Sequence, residues 1–566
     1  MHILKKVEIY YSRSTFLVYC GLILLKYCDS IHNKEQSSLK IQDAKKLINK
    51  LEYTQGIMEI IEKSALDHHI NRRDKNKIIL IQPKTGLDIK HSTIRIPLAL
   101  LYVAKAMLHE KFEVIFIDQR ITQEWKEKLE AELQTDDILC VGIGVIAGKQ
   151  IKYATEISNI IKSHDATIPI VWGGPHPSLS PQTTIVHPLV DCLVIDDGEL
   201  TFVNLAKTLQ NEGDLHCVDN LVFKQNSEIV MTKKSEKVDV NKFPMPAYEL
   251  VNIEDYICSQ ATGGRDLIEG RDFLMVTSRG CTHRCTFCYL TGLHEQSYRA
   301  VSPELVMEHI KYLVNEHGIN TIKIVEDNFF NYLGRAKKIC ELLIKEKINV
   351  KFMATCRIDY VYHYPMDVLK LIREAGFVEL YLGVESGSNR VLEYTKKDIT
   401  VEQILVANRK LKEAGITPRY SFMIGFPTET KEEMLQTLKL MARLVDENPN
   451  AHTTGVQIYM PYPGNPLFDE SIKYGYKPLQ TLEEYAETHW NKVSTPWLDR
   501  ETTEFIEKLS YLTYFADGKT SIEYSRPHYF IKKMLDLYTK IVRLRIRHNF
   551  YFFTPEIFVL KKYLDY

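Results

Sequence analysis

The sequence predicts an α/β protein. A doubly wound, Rossmann-like parallel sheet domain comes first, then a partial (β/α)6 barrel, then a small helical C-terminal region. Short apolar runs alternate with helical patterns from Lys77 to Leu209, the pattern of a parallel sheet with helices on both faces. A second series of six strand–helix units runs from about Asp272 to Gly475. Beyond Gly475 the alternation stops, and aromatic and basic helical segments follow. A chain of 566 residues is long enough for several domains, each with its own core. The expected divisions are 1–76, an N-terminal helical region; 77–212, the sheet domain; 213–262, a linker; 263–475, the barrel; and 476–566, the C-terminal helical region.

In the first domain, Ile78-Ile79-Leu80-Ile81 is a continuous apolar run of the kind that parallel strands show when both faces are buried. Pro97 opens a helix over Leu98 to Met107 as a first-turn proline. Further strands are expected at Phe112–Ile117, Ile138–Ile143, Ile168–Trp172 and Cys192–Ile195, with helices at 123–133, Gln150–Ile161 and Glu199–Leu209 between and after them. Ligands on such sheets bind at the carboxyl ends of the strands. Gly142, Gly144, Gly173, Gly174 and Gly198 stand there, where the missing side chain lets a flat ligand approach the backbone. Tight strand–helix turns alone also use glycine. In the linker, Asn220–Lys224 and Glu228–Thr232 read as a hairpin around Gln225-Asn226-Ser227.

In the barrel, strands are expected at Phe273–Thr277, Thr321–Val325, Val350–Thr355, Val378–Leu382, Thr417–Ile424 and Gly455–Tyr459. Ser302-Pro303-Glu304 is a helix start, and Thr400/Gln403 and Thr430/Glu433 read as capping boxes. Active sites of such barrels lie at the carboxyl ends of the strands. Several of those ends are polar, namely Glu326-Asp327, Arg357 and Glu385-Ser386.

Composition sets limits. Hydrophobic content of 45% and charged content of 26% are ordinary for a soluble globular protein. A net charge of −1 provides no global field for nucleic acid or an anionic membrane, so neither is an expected partner. Eleven cysteines in so long a chain do not form a disulfide scaffold. The segment 15–25 (TFLVYCGLILL) is too short to span a bilayer and has no A-x-A signal after it, so it reads as a helix of a small N-terminal region or as residues ahead of the true start. The segment Lys532–Arg547 and the run Phe550-Tyr551-Phe552-Phe553 are basic and aromatic, and are expected to pack on the barrel.

The chemistry is concentrated in Cys281, Cys285 and Cys288, spaced C-x3-C-x2-C within SRGCTHRCTFCY. Three thiolates this close can ligate three irons of a four-iron cluster and leave the fourth iron open to another ligand. The alternatives are scattered buried thiols or part of a zinc site. Zinc ribbons show two C-x2-C pairs, and one stands here.

The stretch resembles the radical S-adenosylmethionine (radical SAM) enzymes, whose loop is C-x3-C-x-aromatic-C, with Phe287 at the aromatic position. The resemblance implies that the open iron chelates the amino and carboxylate groups of S-adenosylmethionine. An electron from the 4Fe-4S cluster then cleaves the sulfonium, giving a 5′-deoxyadenosyl radical that abstracts hydrogen. It places Glu326 and Asp327 at the methionyl amino group, although the usual Gly-Gly-Glu is absent. Glu385 and Ser386 fall where the family contacts ribose or the methionyl part, and Arg357 suits the carboxylate. The loops Gly173-Gly174-Pro175-His176-Pro177-Ser178 and Asp197-Gly198-Glu199 resemble the cobalamin-binding domain that precedes many radical SAM domains. The D-x-H-x-x-G signature is missing, because Asp88 and His91 are one place too far apart. Cobalamin without a protein imidazole on cobalt is therefore implied, with His176 a loop or packing residue.

The function expected from this resemblance is cobalamin-dependent radical SAM chemistry, C-methylation of an unactivated carbon in a small-molecule or lipid-like substrate. The alternative is ring formation or rearrangement with the same cofactors. A methylthiotransferase or a non-catalytic cobalamin or redox sensor ranks lower. The expected partners are that substrate and an electron donor such as a flavodoxin or ferredoxin. The expected setting is a reducing cytoplasm, with no membrane contact.

Overall fold

The computed structural model describes residues 64–67, 71–88, 93–226, 228–257, 270–488, 495–517, 529–551 and 554. The expectations for segment 15–25, for His91, and for Phe552 and Phe553 lie outside the described residues. Strands β1 (Lys77–Gln82), β2 (Glu113–Asp118), β3 (Ile138–Gly144), β4 (Ile170–Gly173) and β5 (Cys192–Val194) pair in parallel in the order β2-β1-β3-β4-β5. Alternation along β1 splits the core into two layers. Ile78 and Leu80 pack with Leu98, Leu101 and Phe202, from the helices Leu98–His109 and Gly198–Gln210. Ile79 and Ile81 pack on the other face with Leu129, Ile151 and Ile157, from Trp125–Leu133 and Gln150–His164. This is the doubly wound arrangement, and it explains why these strands read as unbroken apolar runs. Pro97 takes the N-cap, one place before the first helical residue, so it precedes the first turn that the sequence assigned to it.

The hairpin read inside the linker is present as β6 (Leu221–Gln225) and β7 (Glu228–Met231). It is not separate from the sheet. β6 pairs antiparallel with β5, Val194 opposite Leu221, and extends the sheet to seven strands. Local pattern shows a strand, but its partner is chosen by burial across the sheet: Val222 and Phe223 are fully buried there.

The second sheet has six parallel strands in chain order, the open (β/α)6 barrel. They are β8 (Asp272–Met275), β11 (Thr321–Ile324), β12 (Lys351–Cys356), β13 (Phe377–Glu385), β14 (Thr417–Ile424) and β15 (His452–Ile458). Between β8 and β11 lies a two-stranded antiparallel ribbon, β9 (Ser278–Gly280) with β10 (Tyr298–Ala300). Both capping boxes form, at Thr400/Gln403 and Thr430/Glu433, and Ser302 accepts from Leu305 N. The amino end of the barrel is closed by buried ion pairs. Asp272 takes Arg95 at 3.2 Å and also Lys323, and Glu379 takes Arg419 at 2.6 Å. The opposite end stays open: beyond β11 Val325 is 44% exposed, and on β13 Tyr381 is 37% exposed. The helix Tyr529–His548 packs its Val542 and Ile546 on the core. Among the described residues no helix is long and apolar enough to cross a membrane.

Candidate functional site

The three cysteines follow β9 directly. Gly280 has φ +88°, and a Cβ there would overlap Ser297 O, so the turn into Cys281 needs glycine. The loop is braced from the end of β11. The Glu326 carboxylate accepts from Thr277 N at 2.6 Å, Thr277 Oγ1 at 2.9 Å, Ser278 N at 2.9 Å and Ser278 Oγ at 2.5 Å. Burial pushes the Glu326 carboxyl up against Arg335 and these hydrogen bonds. Asp327 Oδ2 accepts from Gly280 N at 2.7 Å. Glu326 and Asp327 thus turn toward the cysteine loop, with their carboxylates engaged by the chain itself.

All three thiols are free. Asn328 Nδ2 lies 3.9 Å from Cys281 Sγ, and Arg357 Nη1 lies 3.7 Å from Cys285 Sγ. Burial raises the Cys281 thiol and pushes Cys288 up to about 12. Such thiols ionise when a metal displaces the proton. The donor set of three thiols on one short loop, with N–H groups aimed at the sulfurs, fits an iron–sulfur cluster.

Next to the loop is a buried charge chain. Arg357 holds Asp359 at 2.8 Å through Nε and the Lys397 carbonyl at 2.7 Å through Nη2. Lys397 Nζ bonds Glu385 Oε1 at 2.9 Å and sits 5.9 Å from the Phe287 ring centroid. Burial lowers the Lys397 ammonium, and the neighbouring Glu385 and Cys285 together turn the net shift upward. Gly383 leaves room for this pair, since a Cβ there would overlap the Glu385 carboxylate. Arg357 and Glu385 therefore stand at one mouth with the cysteines. Ser386 does not: it is fully buried, accepts from Ser388 N at 3.1 Å and lies 3.3 Å from Thr437 Oγ1 in the adjoining helix. Sequence reasoning missed Lys397 and Asn328. Lys397 lies in an ordinary polar loop, and only the fold buries it.

The five glycines meet at one cavity of about 270 Å³ at the carboxyl ends of β3, β4 and β5. Its far wall comes from the barrel, as Val276, Arg279 and Leu293. The glycines differ in kind. A Cβ on Gly142 would press on Leu80 and Phe202, so that glycine serves core packing. Gly174 has φ +108° and lies against Val145 O. Gly173 meets only Val194 O at 3.5 Å and Val194 Cβ at 3.9 Å, so its surface is left to the cavity. His176 is not in the lining. It is fully buried, with Nδ1 3.1 Å from Tyr462 Oη and its ring edge-on to Tyr485, and burial lowers it to about 4. Of the five, Gly173 is the glycine whose missing side chain leaves backbone open to the cavity, and that surface fits the approach of a flat cofactor.

Comparison with known proteins finds two domain families along the chain. The radical SAM superfamily profile matches residues 275–441, and the B12 binding domain profile matches residues 89–206. An uncharacterized methyltransferase of Pyrococcus horikoshii is 29% identical over 83% of this chain and 97% of its own length. The anaerobic magnesium-protoporphyrin IX monomethyl ester cyclase of Rubrivivax gelatinosus is 26% identical over 63% of each chain. The hopanoid C-2 methylase of Rhodopseudomonas palustris is 24% identical over 67% of this chain and 64% of its own. Among solved structures, the cobalamin-dependent S-adenosylmethionine radical enzyme OxsB shares the fold with TM-score 0.66 at 19% identity, over 87% of this chain and 75% of that one. The radical S-adenosylmethionine methyltransferase TsrM of Kitasatospora setae does so with TM-score 0.58 at 18% identity, over 70% and 75%. The cofactors that go with the two domains are a 4Fe-4S cluster, S-adenosylmethionine and cobalamin. The chain is a radical SAM enzyme with a cobalamin-binding domain ahead of its radical SAM domain.

Proposed function

We propose that this enzyme transfers a methyl group to an unactivated carbon of a small-molecule or lipid-like substrate. One observation carries the reading: the glycine-lined cavity and the cysteine loop share a wall. Val276 and Arg279 line the cavity, and Arg279 stands two residues before Cys281. A reaction that uses both cofactors on one substrate needs that adjacency. When bound, the cluster and S-adenosylmethionine supply a hydrogen-abstracting radical, and cobalamin carries the methyl group.

The chain's own residues then have separate tasks. Cys281, Cys285 and Cys288 hold the cluster and leave one iron open. Asn328 and Arg357 direct N–H groups at two of the sulfurs, which disperses their negative charge. Arg357 and the Lys397–Glu385 pair place positive charge and a carboxylate beside the mouth, where the methionyl carboxylate and amino groups would lie. Glu326 and Asp327 keep the loop in place, which suits their hydrogen bonds better than direct cofactor contact. Ser386, bonded to Ser388 and Thr437, belongs to the packing behind the mouth. Gly173 opens the cavity to cobalamin, and Gly198 lines it. His176 is packed against Tyr462 and Tyr485 away from the lining, so it has no part in holding cobalt on this reading. The open barrel end, with Val325 and Tyr381 above an ion-paired floor, suits an apolar substrate body.

Ring formation is the second reading, favoured by the cyclase relatives at 25–28% identity. A methylthiotransferase, which carries a second cluster on three N-terminal cysteines, fits less well: among the described residues Cys140 and Cys192 are buried in the first sheet while Cys217 is exposed elsewhere. The test is anaerobic incubation of the reconstituted enzyme with cell extract and S-adenosylmethionine deuterated in its methyl group. Methylation yields a product carrying the intact deuterated methyl. A product that loses hydrogen without gaining methyl overturns methylation in favour of ring formation.

A further inference from the structure

The ribbon that leads into the cysteine loop has an electrostatic problem. Arg279 on β9 stands directly opposite Arg299 on β10. Like charges facing each other across two strands destabilise the pair. The countercharge comes from the other domain. Asp197 Oδ1 bonds Arg279 Nη1 at 3.0 Å, and Arg299 Nη1 bonds Asp197 Oδ2. Glu199 takes Arg279 as well, through Nη2 and through Nη1 at 3.2 Å. Both carboxylates are buried, at 7% and 2% exposure, and sit at the N-terminus of the helix Gly198–Gln210, where the dipole favours anions. Burial alone would raise Asp197, yet the two arginines hold it below the usual carboxylate range. A buried charge set of this kind is stable only while complete.

The same residues form a wall of the cavity. Asp197, Gly198, Glu199 and Arg279 all line it. Arg279 also lies 5.4 Å over the ring of Tyr102, another lining residue. So a ligand resting on Gly198 touches a loop whose docked position is set by the ribbon. Iron on Cys281 fixes that ribbon from the other side. Each ligand favours the same docked arrangement of the joint.

We infer that Asp197, Glu199, Arg279 and Arg299 couple the two cofactor sites energetically, with Asp197 as the positioning residue. Cobalamin in the cavity steadies the cysteine loop, and the cluster tightens cobalamin by the same factor, because coupling between binding sites is reciprocal. The inference rests on the cofactor assignment proposed above.

Equilibrium dialysis of hydroxocobalamin, with cobalt measured by mass spectrometry, tests it on full-length protein with and without the reconstituted cluster, under anaerobic conditions. The wild type should bind hydroxocobalamin about fivefold or more tightly with the cluster than without it. Asp197→Asn should still bind, with a ratio near one. Arg279→Lys, which keeps the charge and loses the fork, should fall between. If Asp197→Asn does not fold, Glu199→Gln tests the same joint, since Asp197 then remains between the arginines. Lys162→Gln is the control. It breaks a buried pair with Asp191, 2.6 Å long, outside the joint, so it should lower the melting temperature and keep the ratio. An unchanged ratio in both joint variants overturns the inference, as does a wild-type ratio of one or loss of the ratio in Lys162→Gln. If no form of the protein binds hydroxocobalamin, the cofactor assignment fails and the coupling fails with it.

Discussion

Two adjacent glycines separate a ligand surface from a structural one. Gly173 ends β4, and a Cβ added to it finds ordinary contacts with Val194 at 3.5 and 3.9 Å. Its backbone needs no positive φ, so Gly173→Val should fold with little change in melting temperature. The new methyls enter the cavity instead. Overfilling a fitted site costs about 1–3 kcal/mol, which weakens hydroxocobalamin about 5- to 150-fold. Gly174 has φ +108° and ψ −173°, a region that side chains avoid, and a Cβ there stands 2.9 Å from Val145 O. Gly174→Ala should therefore lose stability by about 1–3 kcal/mol, whether or not ligand is present. Paired thermal melts and equilibrium dialysis measure both effects. Wild-type hydroxocobalamin affinity in Gly173→Val would refute the assignment of this cavity. Equal loss of melting temperature in the two variants would refute the distinction between the glycines.

Replacing Cys281, Cys285 or Cys288 by Ala should abolish iron and sulfide incorporation, whereas Cys340→Ala and Cys356→Ala should keep it; both are buried thiols on a barrel helix and strand. Glu326→Gln places an amide N–H against donors that now share a carboxylate, so it should cost about 1–3 kcal/mol in thermal unfolding and lower iron retention; full retention of both would remove its bracing role. Glu429 accepts from Gly425 N at 2.6 Å and Phe426 N at 3.1 Å, yet burial raises its carboxyl to about 8. The unfolded carboxyl titrates at its ordinary 4.5, so the folded state holds a proton that the unfolded state gives up. That contribution is full below the unfolded value and is lost as pH rises toward about 8. Melting curves of Glu429→Gln should pull ahead of wild type across that window, and a gap independent of pH would contradict the shift.

What the sequence made legible follows from how locally each feature is encoded. The parallel strands were readable because Ile78 to Ile81 are buried on both faces. The cysteine loop was readable because its three ligands lie within eight residues. The five glycines converge on one cavity because strand ends of a parallel sheet share an edge. What escaped depends on distant partners. β10 is three residues long and is defined by pairing with β9. Lys397 becomes part of the mouth through Glu385, twelve positions away. Glu326 and Asp327 had the right address, but their orientation is decided by Thr277, Ser278 and Gly280 some fifty residues earlier. Ser386 follows Glu385 directly and still turns into the helix packing, since the backbone changes direction at Glu385, φ +66°.

On this reading one chain holds a four-iron cluster on Cys281, Cys285 and Cys288 beside cobalamin in the glycine-lined cavity. Metal analysis with Mössbauer spectroscopy on anaerobically reconstituted, hydroxocobalamin-loaded protein tests it most directly. Four irons and one cobalt per chain are expected, with the iron lost and the cobalt kept in the triple Cys→Ala variant. Iron that persists in that variant, or cobalt that never exceeds trace levels in the wild type, would contradict it.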